Sequence, residues 1–143
     1  MENNVTLAGH KVLLKEGQPA EKLYIIRHGR VLCLKASKDR LIPVFLAGPG
    51  DIIGEAALLE DISNPYSAIT LTHSEMTEIP SETFHEVMKH SPSWLQGLTS
   101  TMISRFQSTA QLIAENRVID AQILNDEVYP DTLEFEFKKL LNQ

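Results

Sequence analysis

The chemistry in this chain gathers around Glu55, which follows Ile52-Ile53-Gly54 and leads into Ala56-Ala57-Leu58-Leu59. A short apolar strand that runs into a turn of helix leaves backbone N–H groups unpaired at the helix start, and these attract an anion. Glu55, beside that opening, is an acceptor for hydroxyl groups of the same ligand. Anion donors and a hydroxyl acceptor side by side suit a cyclic phosphate carried on a ribose. Gly54, Glu55, Ala56 and Ala57 are therefore candidate binding residues, joined by Tyr66 and Ser67 just after Asn64-Pro65. The same Gly-Glu step also serves as an ordinary turn with a favourable charge at a helix N-terminus.

Other reactive side chains do not assemble into a constellation. His85 and His90 are five apart on an expected helix, which puts them on different faces, unlike a metal-ligand pair at i, i+4. With His73 they read as surface histidines, and no metal is expected. Cys33 has no histidine at a recognisable spacing and reads as a core residue. No nucleophile-elbow motif occurs, so no catalytic residue is assigned and an enzyme is not expected.

Composition sets the frame. A chain of 143 residues suits one domain, and 43% hydrophobic with 22% charged residues is ordinary for a globular protein. No apolar run is long enough to cross a bilayer, and no secretory signal layout opens the chain. A single cysteine makes the cytoplasm the expected compartment. A net charge of −6 with scattered basic residues argues against nucleic acid as a partner.

The elements that position Glu55 follow from punctuation and period. Residues Met1 to Ala8 read as a short helix or loose arm. Strands are expected at Lys11–Leu14, Leu23–Arg27, Arg30–Lys35, Leu41–Leu46, Tyr66–Thr72 and Glu75–Ile79, with Gly48-Pro49-Gly50-Asp51 the strongest break. Short strands at this spacing indicate an antiparallel barrel or jelly roll. After Pro80 the period becomes helical. Ser81 is expected as an N-cap, with Phe84, Val87 and Met88 on one face. Ser91-Pro92 opens a second helix, long enough to reach Leu124, whose apolar stripe includes Leu95, Leu98, Met102, Phe106 and Ile113. A stripe wider than one barrel face points to a second copy, with Leu98, Met102, Phe106 and Ile113 as candidate dimer contacts. Arg105 interrupts it, as a solvated side chain or as a ligand or interface contact. Leu133, Phe135 and Phe137 alternate like a strand, but Leu133, Phe137, Leu140 and Leu141 fit a helix, which is preferred, with Asp131 and Glu134 as a capping pair.

Taken together, Gly17-Gln18-Pro19-Ala20-Glu21-Lys22-Leu23-Tyr24-Ile25-Ile26, then Gly29-Arg30-Val31, Gly50-Asp51 and Gly54-Glu55-Ala56-Ala57-Leu58-Leu59, resemble the cyclic-nucleotide-binding domain family. The resemblance runs from about Leu7 to Leu124. It implies an eight-stranded jelly roll with a phosphate-binding cassette and a C-terminal helical hinge. It implies that Glu55 holds the ribose 2′-hydroxyl and that backbone N–H groups around Ala56 and Ala57 meet the cyclic phosphate. The family's phosphate-clamping arginine, after a proline and before Ser/Ala-Ala, falls here on Pro65-Tyr66-Ser67-Ala68, so Tyr66 stands in its place. Tyrosine offers one neutral hydroxyl where arginine offers a fixed charge and a fork of donors, and one charge-assisted bond is worth about 1.5–3 kcal/mol. The loop from Glu55 to Tyr66 is also longer than the usual cassette, and Glu60 and Asp61 add negative charge to it. Arg27, Arg30, Arg105 and Arg117 are the candidates to replace the missing cation.

The expected protein is mainly β with flanking helices: an antiparallel jelly-roll barrel of cyclic-nucleotide-binding type (about 9–80) and helices to 124, with 125–143 a C-terminal extension. Too few residues are expected after Leu124 for the winged helix-turn-helix of the transcription-factor branch, and no effector domain is expected to follow. The expected role is a stand-alone regulatory module, degenerate for cyclic AMP and cyclic GMP, acting as a homodimeric scaffold for an unidentified protein. It would require no cofactor and touch no nucleic acid or membrane. The alternative is a cyclic-nucleotide receptor with a non-standard phosphate anchor.

Overall fold

The punctuation read from the sequence becomes eight strands in the structure, a computed structural model that describes residues 3–116 and 129–142. They are β1 (Asn3–Leu7), β2 (Val12–Leu14), β3 (Lys22–His28), β4 (Val31–Ser37), β5 (Arg40–Ala47), β6 (Ile52–Ile53), β7 (Ser67–Thr70) and β8 (Ser74–Pro80). All pair antiparallel, in two four-stranded sheets ordered β1-β8-β3-β6 and β2-β7-β4-β5. Four helices accompany them: α1 (Glu55–Glu60), α2 (Ser81–Lys89), α3 (Ser93–Asn116) and α4 (Asp131–Leu141). This is the expected jelly roll with flanking helices and a long helix behind it.

Several local expectations are corrected. The N-terminal arm is strand β1, pairing Val5 with Met76 and Leu7 with Ser74, because Val5 and Leu7 alternate toward the core. Ser81 is the first helical residue rather than a cap. Pro80 holds the cap position without a side-chain bond, and the Ser81 N–H donates to Glu21 O at 2.8 Å. On α2 the expected apolar face buries no residue fully, and Val87 is exposed. Helix α3 starts at Ser93, with Pro92 O accepting from Leu95 and Gln96 N–H. The expected stretch from Arg117 to Leu124 lies outside the described residues. Asp131 and Glu134 do not cap α4, since Pro130 occupies that position and Glu134 turns to the barrel.

The sheet β2-β7-β4-β5 is apolar on both faces. Val31, Cys33 and Ala68 face the inner core with Tyr24, Ile26, Ile53 and Met76, whereas Leu32, Leu34 and Ile69 belong to a separate outer cluster. Pro43 is accommodated because β5 is an edge strand with a register shift opposite Cys33/Leu34. The inner face is closed by α3 through Ala110 and Ala114, with Phe106 and Ile113 packed beside them. The outer face is closed by α4. Phe137 is fully buried against Leu32, Leu34, Leu41 and Ile69, with Leu133, Leu140 and Leu141 around it.

One charge pair orients α4. Glu134 is buried, accepting from Arg40 Nε at 2.8 Å, Arg40 Nη2 at 2.7 Å and the Leu41 N–H at 3.0 Å. The Arg40 guanidinium holds the Glu134 carboxyl below its ordinary value of 4.5. A carboxyl with a lowered folded pKa contributes stability that is present above the unfolded value and lost as pH falls through the folded one. The melting-temperature advantage of the unaltered protein over Glu134→Gln is therefore expected at pH 7, should shrink as pH falls below the ordinary 4.5, and should vanish once the carboxyl is protonated in the folded protein. Phe137→Ala is expected to cost about 3–5 kcal/mol in chemical denaturation. A cost near zero would mean that α4 leaves its seat in solution.

Candidate functional site

The candidate cassette begins where β6 ends. Gly54 has φ 91° and sits so close to β3 that a Cβ would lie 3.0 Å from Lys22 O, which makes glycine the residue for this corner. Helix α1 follows at once, so the amides of its first turn have no intrahelical partner, and no side chain caps them. Ala56 and Ala57 are buried in this turn. The helix ends at Asp61, whose φ of 52° is left-handed.

Tyr66 lies inside this corner. It is 3% exposed, and its hydroxyl accepts the Gly54 N–H at 3.3 Å. Its ring stands edge-on to Phe106 of α3, with centroids 6.1 Å apart, and Phe106 meets Phe45 of β5 in the same way at 5.9 Å. Burial pushes the Tyr66 phenol well above its ordinary value of 10, so it stays neutral. Tyr66 is thus a neutral core aromatic, engaged with the Gly54 amide at the start of the candidate cassette.

One oxygen of Glu55 has no such satisfaction. Its Oε2 is enclosed by protein and meets no hydrogen-bond partner, and burial raises its carboxyl above the ordinary 4.5. On α3, Gln107 Nε2 is likewise enclosed without a partner. Ser67, expected to face the ligand, is buried and uses its Oγ to accept the Glu16 N–H at 3.0 Å.

Of the four arginines proposed as substitutes, the three that are described do not converge on Tyr66. Arg27 Nε donates to Thr77 Oγ1, Arg30 lies against Gly48, Arg105 is exposed, and Arg117 is outside the described residues. A cation that does touch the cassette loop is Lys35, which the sequence reading missed. Its Nζ donates to Pro65 O at 2.9 Å and lies 3.4 Å from Glu16 Oε2. Asn64 ties the same loop to the β2–β3 connection: its N–H donates to Gln18 O, its Nδ2 donates to Lys15 O, and Gly17 N–H donates back to its O. The Asn-Pro pair was the available signal for that anchoring.

The candidate dimer residues divide. Phe106 and Ile113 are packed against the inner core, so they are barrel contacts. Leu98 and Met102 are 50% and 61% exposed, and they continue toward exposed Leu95 and Leu112. Among the histidines, His85 donates to Leu58 O and His90 pairs with Glu86. No group of metal-ligating side chains forms among the described residues, and none of their helices is long and apolar enough to cross a membrane. Cys33 is fully buried.

Residues 4–91 match the profile of the family described as the cyclic nucleotide-binding domain. The chain is 32% identical over 77 residues to a cAMP-dependent protein kinase regulatory subunit of Pyricularia oryzae, covering 54% of this chain and 19% of that one. It is 29% identical over 110 residues to the cAMP-activated global transcriptional regulator CRP of Salmonella typhimurium, covering 76% and 52%. Among solved structures it is similar to the regulatory domain of Toxoplasma gondii protein kinase A with cAMP, at TM-score 0.59 and 27% identity over 59% of this chain and 33% of that one. The chain therefore spans about half the length of one curated relative and a fifth of the other.

Glu55 generates a prediction of its own. An acid whose folded pKa is raised is destabilising above that pKa and neutral in effect below the unfolded value. Glu55→Gln is expected to raise the melting temperature at pH 8, and the gain should disappear below about pH 4.5. An unchanged or lower melting temperature at pH 8 would mean that the carboxylate has a partner in solution.

Proposed function

We propose, since the chain belongs to the cyclic nucleotide-binding domain family, that it is a regulatory module whose cassette serves neither cyclic AMP nor cyclic GMP. In this reading α3 joins two copies into a scaffold for a further protein in the cytoplasm. The observation that carries the first part is the Tyr66 hydroxyl on the Gly54 N–H. It puts a neutral aromatic where the family places its phosphate-clamping charge, and the Phe45–Phe106–Tyr66 cluster fills the space behind it with core packing. The loop is also pinned shut by Asn64 and Lys35. The dimer part is supported by the exposed stripe of Leu95, Leu98 and Met102, which no other described element covers.

A second reading is favoured by the orphaned Glu55 Oε2 and Gln107 Nε2. An enclosed acceptor and donor without partners would be answered by a polar ligand, as in a receptor with a non-standard phosphate anchor.

Calorimetry separates the two. No heat is expected with cyclic AMP or cyclic GMP at tens of micromolar, and no rise in melting temperature at millimolar nucleotide; a ligand at a hundredfold its dissociation constant would stabilise by about 2.7 kcal/mol. Tight binding that is lost in Glu55→Ala would promote the receptor. For the dimer, light scattering at micromolar concentration is expected to give twice the chain mass. Leu98→Asp with Met102→Asp should give a folded monomer, whereas Phe106→Asp should unfold the domain. A monomeric unaltered protein would remove the scaffold.

A further inference from the structure

Besides Glu55 Oε2 and Gln107 Nε2, one more side-chain polar atom is enclosed without a partner among the described residues, and it belongs to Asn64. Asn64 is 4% exposed, and its amide orientation is fixed. Nδ2 donates to Lys15 O at 3.2 Å, where the flipped amide would set oxygen against oxygen. Oδ1 is therefore the atom left without a donor. Asn64 stands in the wall of a cavity of about 250 Å³ between the β2–β3 connection and the cassette loop. Its floor is the edge of the inner core, with Leu14 and Tyr24 buried and Leu13 packed beside them. Gln18, Glu21 and Lys22 stand at the rim, and Lys22 is answered by Glu78 Oε2 at 3.1 Å. None of Gly54, Glu55, Ala56, Ala57, Tyr66 and Ser67 lines this cavity, so it is separate from the candidate cassette. A single water would satisfy Oδ1, but a water takes about 30 Å³ and this cavity is roughly eight times larger.

We propose that this cavity binds a single-ring, polyhydroxylated ligand of the monosaccharide class, with one hydroxyl donating to Asn64 Oδ1. Its volume lies below the about 300–1,000 Å³ of sites for drug-sized molecules, which suits one ring rather than a nucleotide. The class follows from polarity. The unmet atom is an acceptor, so the ligand must bring a donor. The floor is apolar, so a charged group seated on it would lose its water without gaining a counter-ion. At the rim the Gln18 amide both donates and accepts and the Glu21 carboxylate accepts, a mixture that hydroxyl groups match. The C–H face of the ring is left for Leu14 and the apolar body of Tyr24. The site goes beyond the cassette reading and does not depend on it. A ligand held there bridges the β2–β3 connection and the loop that carries Tyr66, at the residue that already ties the two together.

Titration of the isotope-labelled full chain with glucose, galactose and ribose, followed by NMR, tests this, with the Asn64 side-chain amide as reporter. At millimolar sugar at least one of them is expected to shift the Asn64 Nδ2 signals together with the backbone amides of the β2–β3 connection, and the shifts should saturate. Asn64→Leu removes the acceptor and is expected to weaken binding about tenfold. That variant also loses the bond to Lys15 O, so a second one leaves Asn64 intact. Ala20→Trp, at a partly exposed loop position in the cavity wall, is expected to fill the space and abolish the response. Melting curves check that both variants fold, and if Asn64→Leu does not, Ala20→Trp decides. No shift at Asn64 with any of the sugars overturns the site, as does a drift that never saturates. Saturable binding that survives in every folded variant overturns it too, because the sugar then sits elsewhere. Shifts centred on Gly54 and Glu55 instead would place the sugar in the cassette and overturn it as well.

Discussion

A strand that is apolar on both faces must be covered twice, and β4 imposes that requirement here. Val31, Leu32, Cys33 and Leu34 are all fully buried, in a strand hydrogen-bonded between β7 and β5. Such a run is typical of sheets enclosed on both sides, whereas a half-exposed antiparallel strand would alternate with polar residues. The opposite sheet and α3 cover the odd residues, and α4 covers the even ones. Dispersion and burial are non-directional, so they explain why something apolar lies on the outer face but not how it is aligned. The Arg40–Glu134 pair supplies the direction. Its two parallel N–H···O bonds and the Leu41 N–H fix the start of α4 against the start of β5.

The same preference for core over charge governs the cassette. An arginine at position 66 would bring a guanidinium into a corner walled by Phe45, Phe106 and Cys33, where an unpaired charge is expensive. A phenol fits there with its ring in the aromatic cluster and its single polar atom on the Gly54 amide. The cost of that exchange falls on Glu55. Its Oε2 is enclosed with no hydrogen-bond partner. Under the proposed reading Glu55 is a polar group kept in an apolar setting, and burial raises its pKa.

Much of this was legible in the sequence because turns announce themselves. Gly48-Pro49-Gly50-Asp51 closes on its own hydrogen bonds, with Gly48 N–H donating to Asp51 Oδ2 and Asp51 N–H to Gly48 O. The substitution of Tyr66 for arginine was equally plain as a change of residue type. Its consequence was not, because filling by Phe45 and Phe106 comes from strands and helices far apart in the chain. The N-terminal arm was misread because two alternating apolar residues, Val5 and Leu7, are too few to set a period. The tail had no visible seat because its partner surface, Leu32 with Leu34 and Ile69, reads as core whichever way it faces. On α3 the sequence merged two adjacent stripes. Met102 and Phe106 are one turn apart and share a broad face, and only the barrel along one edge separates them.

That adjacency also links the site to the surface. Phe106 touches the Tyr66 ring, and one turn before it Met102 faces outward with Arg105 close by. Packed interiors transmit displacement because side chains interdigitate without slack. A cassette that opened and closed around a ligand would have to move Tyr66, and with it Phe106 and the outward stripe. In the proposed reading the Tyr66 side chain closes the cassette, Asn64 and Lys35 hold its loop, and α3 stays in one pose. Under the proposed reading, the module is therefore constitutive at the cassette end, and any control over its assembly must act on the outward face of α3.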